Sequence, residues 1–162
     1  MLKALSVCFC LGLMWVPAHA SQWKFEGGAT PIAYADNKDA QFQFACRGGS
    51  LAMAYWVKHP EATVAAARSL RLAMNAGGGS VSAGSDTSFA QDSPTIQNDG
   101  SSVLIRGPVA QQWAQKAQQA GISMELAFVQ QKTNGGLEFL DRQQFGVKGS
   151  SAAIGELLAR CT

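Results

Sequence analysis

Charge is the first thing this sequence is short of. Asp, Glu, Lys and Arg make up 15% of its 162 residues, against roughly 25% in an average soluble protein. The 13 basic and 11 acidic side chains nearly cancel, leaving a formal net charge of +2. That excludes a nucleic-acid surface built on clustered Lys and Arg, and strong electrostatic steering of a charged partner. Histidine is scarcer still, with two, and cysteine stops at four. No Cys-x-x-Cys is present, so neither a zinc ribbon nor a thioredoxin-like redox pair is encoded. The nearest approach to a Gly-x-Ser-x-Gly nucleophile elbow, Gly78-Gly79-Ser80-Val81-Ser82, ends in serine. Gly77-Gly78-Gly79-Ser80 lacks the following Lys-Ser/Thr that a phosphate-cradling loop requires. No metal, nucleotide or other cofactor is expected.

What is present begins with an export signal. Lys3 supplies a positive start, Ala4 to Val16 form a mostly apolar stretch, and Pro17-Ala18-His19-Ala20 matches the A-x-A pattern before a cleavage site. The run is shorter than the roughly 20 apolar residues that span a bilayer. Cleavage after Ala20 is expected, leaving residues 21–162 as a single exported domain in the periplasm or outside the cell. Ser21, not cysteine, stands at the first mature position, so no lipid anchor is expected, and no later run is long enough to insert in a membrane. Lys3 leaves with the signal, and the net charge falls to +1.

Cysteine gives the sharpest constraint. Cys8 and Cys10 lie inside the signal, so Cys46 and Cys161 enter an oxidising compartment together and are expected to form one disulfide. A bridge closing so long a loop is worth about 4–5 kcal/mol in the chain-entropy model.

Periodicity predicts an α+β fold: an antiparallel, sandwich-like β-sheet with two short helices packed on it. Early strands are expected at Trp23–Glu26 and Pro31–Ala35. Phe42, Phe44 and Cys46 alternate with polar neighbours, and beyond the turn Arg47-Gly48-Gly49-Ser50 so do Leu51, Met53, Tyr55 and Val57, which predicts a β-hairpin. Residues 60–67 are ambiguous and residues 68–75 read as a strand. Residues 80–93, rich in Ser, Gly, Asp and Ala, read as a loose hairpin or loop. A hairpin turning at Asn98-Asp99-Gly100 leads into Ser102–Arg106. Pro108 opens a helix that ends before Gly121. A strand with Ile122, Met124, Leu126 and Phe128 on one side then pairs with Leu137–Val147. The last helix is expected to be capped by Ser150 or Ser151, with Ile154, Leu157, Leu158 and Cys161 on its buried face.

Candidate site residues are few. His59, the one histidine beyond the signal, has no sequence cue to a catalytic partner and reads as an exposed turn residue. Glu125 and Glu138 lie on strands joined by one turn and are placed to be cross-strand neighbours, the arrangement an acid–base pair uses. Asp86, Asp92 and Asp99 are too widely spaced for an EF-hand loop and read as turn formers. Trp23, Tyr34, Tyr55 and Trp56 are candidates for an aromatic platform. Adjacent on a strand, Tyr55 and Trp56 face opposite sides, and Trp56, between Ala54 and Lys58, is the one expected outside. Trp56, Tyr55 and Phe89 are the residues expected to mark a binding surface, with no catalytic residue assigned.

An early Trp is followed by Cys46-Arg47-Gly48-Gly49, a hairpin ending in Tyr55-Trp56, and then by Phe145-Gly146-Val147-Lys148-Gly149-Ser150-Ser151-Ala152-Ala153-Ile154, Leu157 and Cys161. This order resembles the small exported proteins associated with type VI secretion and the invasion-associated locus B family of Gram-negative bacteria. In both, a terminal strand–Gly–helix–Cys unit is tied back to an upstream strand. The resemblance implies a periplasmic accessory or binding protein that engages an envelope or secretion-related partner, and it carries over no functional residue. Two other readings stand beside it: an inhibitor presenting residues 77–95 to a foreign enzyme, and a small envelope hydrolase using Glu125 or Glu138.

Overall fold

A computed structural model describes residues 22–67, 70–77, 79–83, 96–98 and 102–161. Residues 1–20, expected to be an export signal, lie outside the described residues, as do Phe89, Asp86, Asp92, Asp99 and most of the 77–95 stretch.

The described chain forms ten strands and three helices. The strands are β1 (Lys24–Glu26), β2 (Ile32–Asp36), β3 (Ala40–Arg47), β4 (Ser50–Val57), β5 (Arg71–Asn75), β6 (Ser80–Ala83), β7 (Ile96–Asn98), β8 (Ser102–Arg106), β9 (Ser123–Gln131) and β10 (Leu137–Gly146). The helices are α1 (Ala62–Ala66), α2 (Pro108–Gln118) and α3 (Ser150–Ala159). They build two antiparallel sheets, β1-β2-β3-β4-β8-β7 and β10-β9-β5-β6. The α+β class, the antiparallel sheets and the two packed helices are as expected, and α1 adds a third, five-residue helix in the ambiguous stretch. Among the described residues no helix is long and apolar enough to cross a membrane.

The β3–β4 hairpin follows directly from its alternation. Phe42 faces Tyr55, Phe44 faces Met53 and Cys46 faces Leu51, all buried on one side. Gly48 and Gly49 both have positive φ, 57° and 76°, the primed two-residue turn whose twist matches the flanking strands and which disfavours side chains. This inner face is covered by α2, which packs on β4 and β8, by α3, which packs on β1 to β3, and by the second sheet. Phe42 joins the layers. Its ring lies 5.5 Å from Trp23, 6.4 Å from Trp113 of α2 and 6.0 Å from Phe145 of β10. Edge-on and tilted aromatic pairs of this kind add about 0.5–1.5 kcal/mol each beyond the area they bury.

Two local expectations are corrected. Ile122 is 85% exposed: β9 begins one residue later, and Gly121-Ile122 forms the bend that leads into it. The first residue of α3 is Ser150 itself, buried, with its hydroxyl donating back to the Val147 carbonyl at 2.9 Å. Neither serine caps the helix; Gly149 occupies that position with φ 81° and makes no side-chain cap. The disulfide joins Cys46 and Cys161 as expected, with S–S 2.06 Å and a sequence separation of 115. It ties the residue just beyond α3 to β3.

Candidate groove on the second sheet

The β9 strand carries apolar residues on both faces. Met124, Leu126 and Phe128 point into the core, while Ala127 and Val129, also buried, lie on the other side. With Ala73 of β5 they floor a groove on the outer face of the β10-β9-β5-β6 sheet, with a volume of about 360 Å³. Alanines at two of its central positions leave the space that larger side chains would fill. Leu137 and Phe139 of β10 stand along it, 60% and 41% exposed. Asn75, Ser80 and Ser82 supply hydrogen-bonding groups, and Arg71, Glu125 and Arg142 supply charge.

A β-bulge positions Arg142. The β9–β10 register shifts between Leu140 and Gln143, so two residues of β10, Asp141 and Arg142, fit against one of β9. The extra residue brings Phe145 back to the core side, where Leu140 also lies, and turns Arg142 onto the groove face. There its guanidinium donates to Glu125 Oε1 at 3.0 Å and sits 4.7 Å from the centre of the Phe139 ring. The arginine thus sits over an aromatic face and beside a carboxylate, with both members of the ion pair about half exposed. Behind the bulge, Asp141 Oδ2 accepts the Glu61 N–H at 2.7 Å and the Asp141 N–H donates to Glu61 Oε1 at 3.3 Å. Burial raises the Asp141 carboxyl above the usual carboxylate range, and the Glu61 charge adds to this while the hydrogen bond from the Glu61 backbone opposes it.

Glu125 and Glu138 are not the cross-strand neighbours expected. Glu125 lies opposite Gln144 and Glu138 opposite Gln130, and the two carboxylates project from opposite faces of the sheet. Glu138 accepts from Gln130 Nε2 at 2.7 Å and lies 4.0 Å from Lys132. The aromatic candidates separate as well. Trp56 is 46% exposed, on the outer face of the six-stranded sheet between Gln41 and Ser102. Tyr55 is a correction: it is only 1% exposed, packed against Phe128 and Phe145, and burial drives its hydroxyl far above the normal phenolic range. That hydroxyl has no hydrogen-bond partner among the described residues. Trp23 is buried with Nε1 donating to the Gly146 carbonyl at 3.0 Å, and Tyr34 donates to Glu26 at 2.7 Å. His59 is exposed in the bend after β4. No group of three or more metal-ligating side chains occurs among the described residues.

The groove residues Arg71, Leu137, Phe139 and Arg142 were not among the sequence candidates. Their signal was present in β9 and β10, where apolar residues fall at both parities, so that both faces of the sheet are apolar. No protein-family profile, curated protein or solved structure matches this chain.

Proposed function

We propose that this protein is an exported, non-enzymatic binding domain that serves in the periplasm as an accessory to an envelope or secretion-related protein, and that it takes this partner in the groove of the second sheet. The observation that carries the reading is the pairing of exposed Leu137 and Phe139 with a fixed Arg142–Glu125 pair over an apolar floor. Apolar side chains held in water return about 25 cal/mol for each Å² that a partner covers. An arginine that already has a carboxylate and an aromatic face beside it loses less freedom on binding than an unpaired one. What favours binding over hydrolysis is the separation of Glu125 from Glu138, each beside a cation of its own. Export is supported by the signal pattern of residues 1–20 and by the Cys46–Cys161 bridge, a bond that persists in oxidising compartments. The resemblance to the exported secretion-associated proteins points the same way.

The test is a crosslinking pull-down from a periplasmic extract, with the wild-type protein, Phe139→Ser and Trp56→Ser as baits. A specific envelope protein held by the wild type and by Trp56→Ser, and lost with Phe139→Ser, is the expected result. Loss with Trp56→Ser alone would move the site to the six-stranded sheet, and no specific capture by any bait would discard the reading.

A further inference from the structure

We propose that the groove takes an extended segment of its partner, which adds as a strand to the β10 edge beside Leu137 and Phe139; this rests on the groove reading above. The hydrogen-bond phase of the β9–β10 ladder decides which groups are open to it. The Lys132 N–H donates to the Gly136 carbonyl at 2.7 Å, and Gln131 is the partner of Leu137. Hydrogen-bonded pairs alternate along an antiparallel ladder, so Glu138 and Leu140 turn their peptide groups toward β9, and Leu137 and Phe139 turn theirs away.

From the bulge onward the same outward row is capped. Glu61 Oε1 accepts the Asp141 N–H, and Asn37 Nδ2 donates to the Gln144 carbonyl at 3.2 Å. Trp23 Nε1 donates to the Gly146 carbonyl, and the Trp23 N–H to the Lys148 carbonyl, each at 3.0 Å. Nothing among the described residues caps the row at Leu137 and Phe139. An uncapped edge beside exposed apolar side chains is what sheets otherwise avoid, because it is a template for another strand.

The side chains define the strand that fits. Leu137 and Phe139 lie on the groove face, and Glu138 lies on the other. An antiparallel segment sets apolar residues beside Leu137 and Phe139 and places the residue between them across from Glu138. The half-exposed Glu138 carboxylate accepts from Gln130 and lies 4.0 Å from Lys132, so that Lys or Arg across from it competes with or joins Lys132 and an acid is repelled. A second copy of this chain turned about Glu138, in the register that pairs Leu137 of each copy with Phe139 of the other, would set one Glu138 against the other. The occupant we assign is a different chain, with an apolar–basic–apolar pattern.

The probe is a blocked peptide of alternating valine and lysine, titrated into the disulfide-bonded protein and followed by amide shifts and hydrogen exchange. Slowed exchange at Leu137 and Phe139 is expected. N-methylation of the valine amides, which face β10, should weaken binding by about tenfold or more, the loss of at least one net backbone hydrogen bond. Methylation of the outward lysine amides should leave it unchanged. Equal affinity for the two methylated peptides, or no shift at Leu137 and Phe139 at millimolar peptide, overturns strand addition. In the pull-down, Leu137→Pro removes an outward N–H and no β9 bond. A partner lost with Phe139→Ser and kept with Leu137→Pro would leave the groove reading standing and the strand reading refuted. With the fold intact by circular dichroism, loss in both variants supports the groove, of which Leu137 is also an anchor, and strand addition is then decided by the two methylated peptides.

Discussion

Asp141 stands where the β9–β10 ladder breaks, with φ 46°, the single non-glycine residue of positive φ among the described residues. Its carboxyl is raised by burial, with Glu61 as the charged neighbour, so the fold favours the protonated form. The stability that protonation adds is complete below the unfolded-state pKa and is lost as pH rises through the raised folded value. Asparagine tolerates this backbone region and keeps an oxygen for the Glu61 N–H, but it does not titrate. Asp141→Asn is therefore expected to gain on the wild type as pH rises from about 3 to about 7, compared by urea denaturation at the two ends. A gap that instead widens in favour of the wild type at neutral pH would mean that the ionised carboxylate is the stabilising form. Residues of this kind were hidden from sequence because a bulge obeys no period. The one trace of it is that Leu140 and Phe145, five positions apart, both face the core. Tyr55 and Trp56 show the opposite case. Strand alternation placed them on opposite faces and named the exposed one, so Tyr55 had no place on a binding surface.

At the scale of elements, the legible signals are those in which composition and backbone demand agree. The β3–β4 hairpin has strict alternation on both arms and two glycines at a turn that needs positive φ. The α2 helix has proline at its first position and a buried Val109, Trp113 and Ala117 stripe. The start of α3 departs from its sequence signal because a serine before an apolar run resembles a cap, whereas the chain enters through Gly149 in the left-handed region. A Cβ there would also meet the Trp23 carbonyl oxygen at 3.1 Å, and that backbone is fixed by its bond to Lys148. Gly149→Ala should cost about 1–3 kcal/mol. Gly155, inside the same helix, would bring its Cβ to the movable end of Gln118 at 3.1 Å. Gly155→Ala should be neutral or gain up to about 1 kcal/mol. Thermal denaturation of the two variants checks the pair, and equal losses would show that tight packing, not backbone conformation, governs both sites.

For the whole molecule, the Cys46–Cys161 bridge joins the strand at the centre of the aromatic core to the residue just past the last helix. Cysteine count made that pairing legible once the signal-like pattern of residues 1–20 set Cys8 and Cys10 apart. The groove was not legible, because it depends on which of two apolar faces stays uncovered, and that is decided by where α2, α3 and the six-stranded sheet pack. The bridge contributes about 4–5 kcal/mol in the chain-entropy model, a large part of the roughly 5–15 kcal/mol that holds a domain folded. Its loss should not be felt evenly. Helix α3 buries only Ser150, Ala153, Ile154 and Leu157, whereas the β3–β4 hairpin is enclosed along its inner face by both helices and the second sheet. In a Cys46→Ser, Cys161→Ser double variant, amide exchange along α3 should therefore rise well before exchange in β3 and β4, since local opening follows the number of buried contacts. Native-state hydrogen exchange reads this directly. If α3 and the hairpin instead lost protection together, the helix would be part of one cooperative unit with the sheet, and the bridge would stabilise the protein only by restricting its unfolded chain.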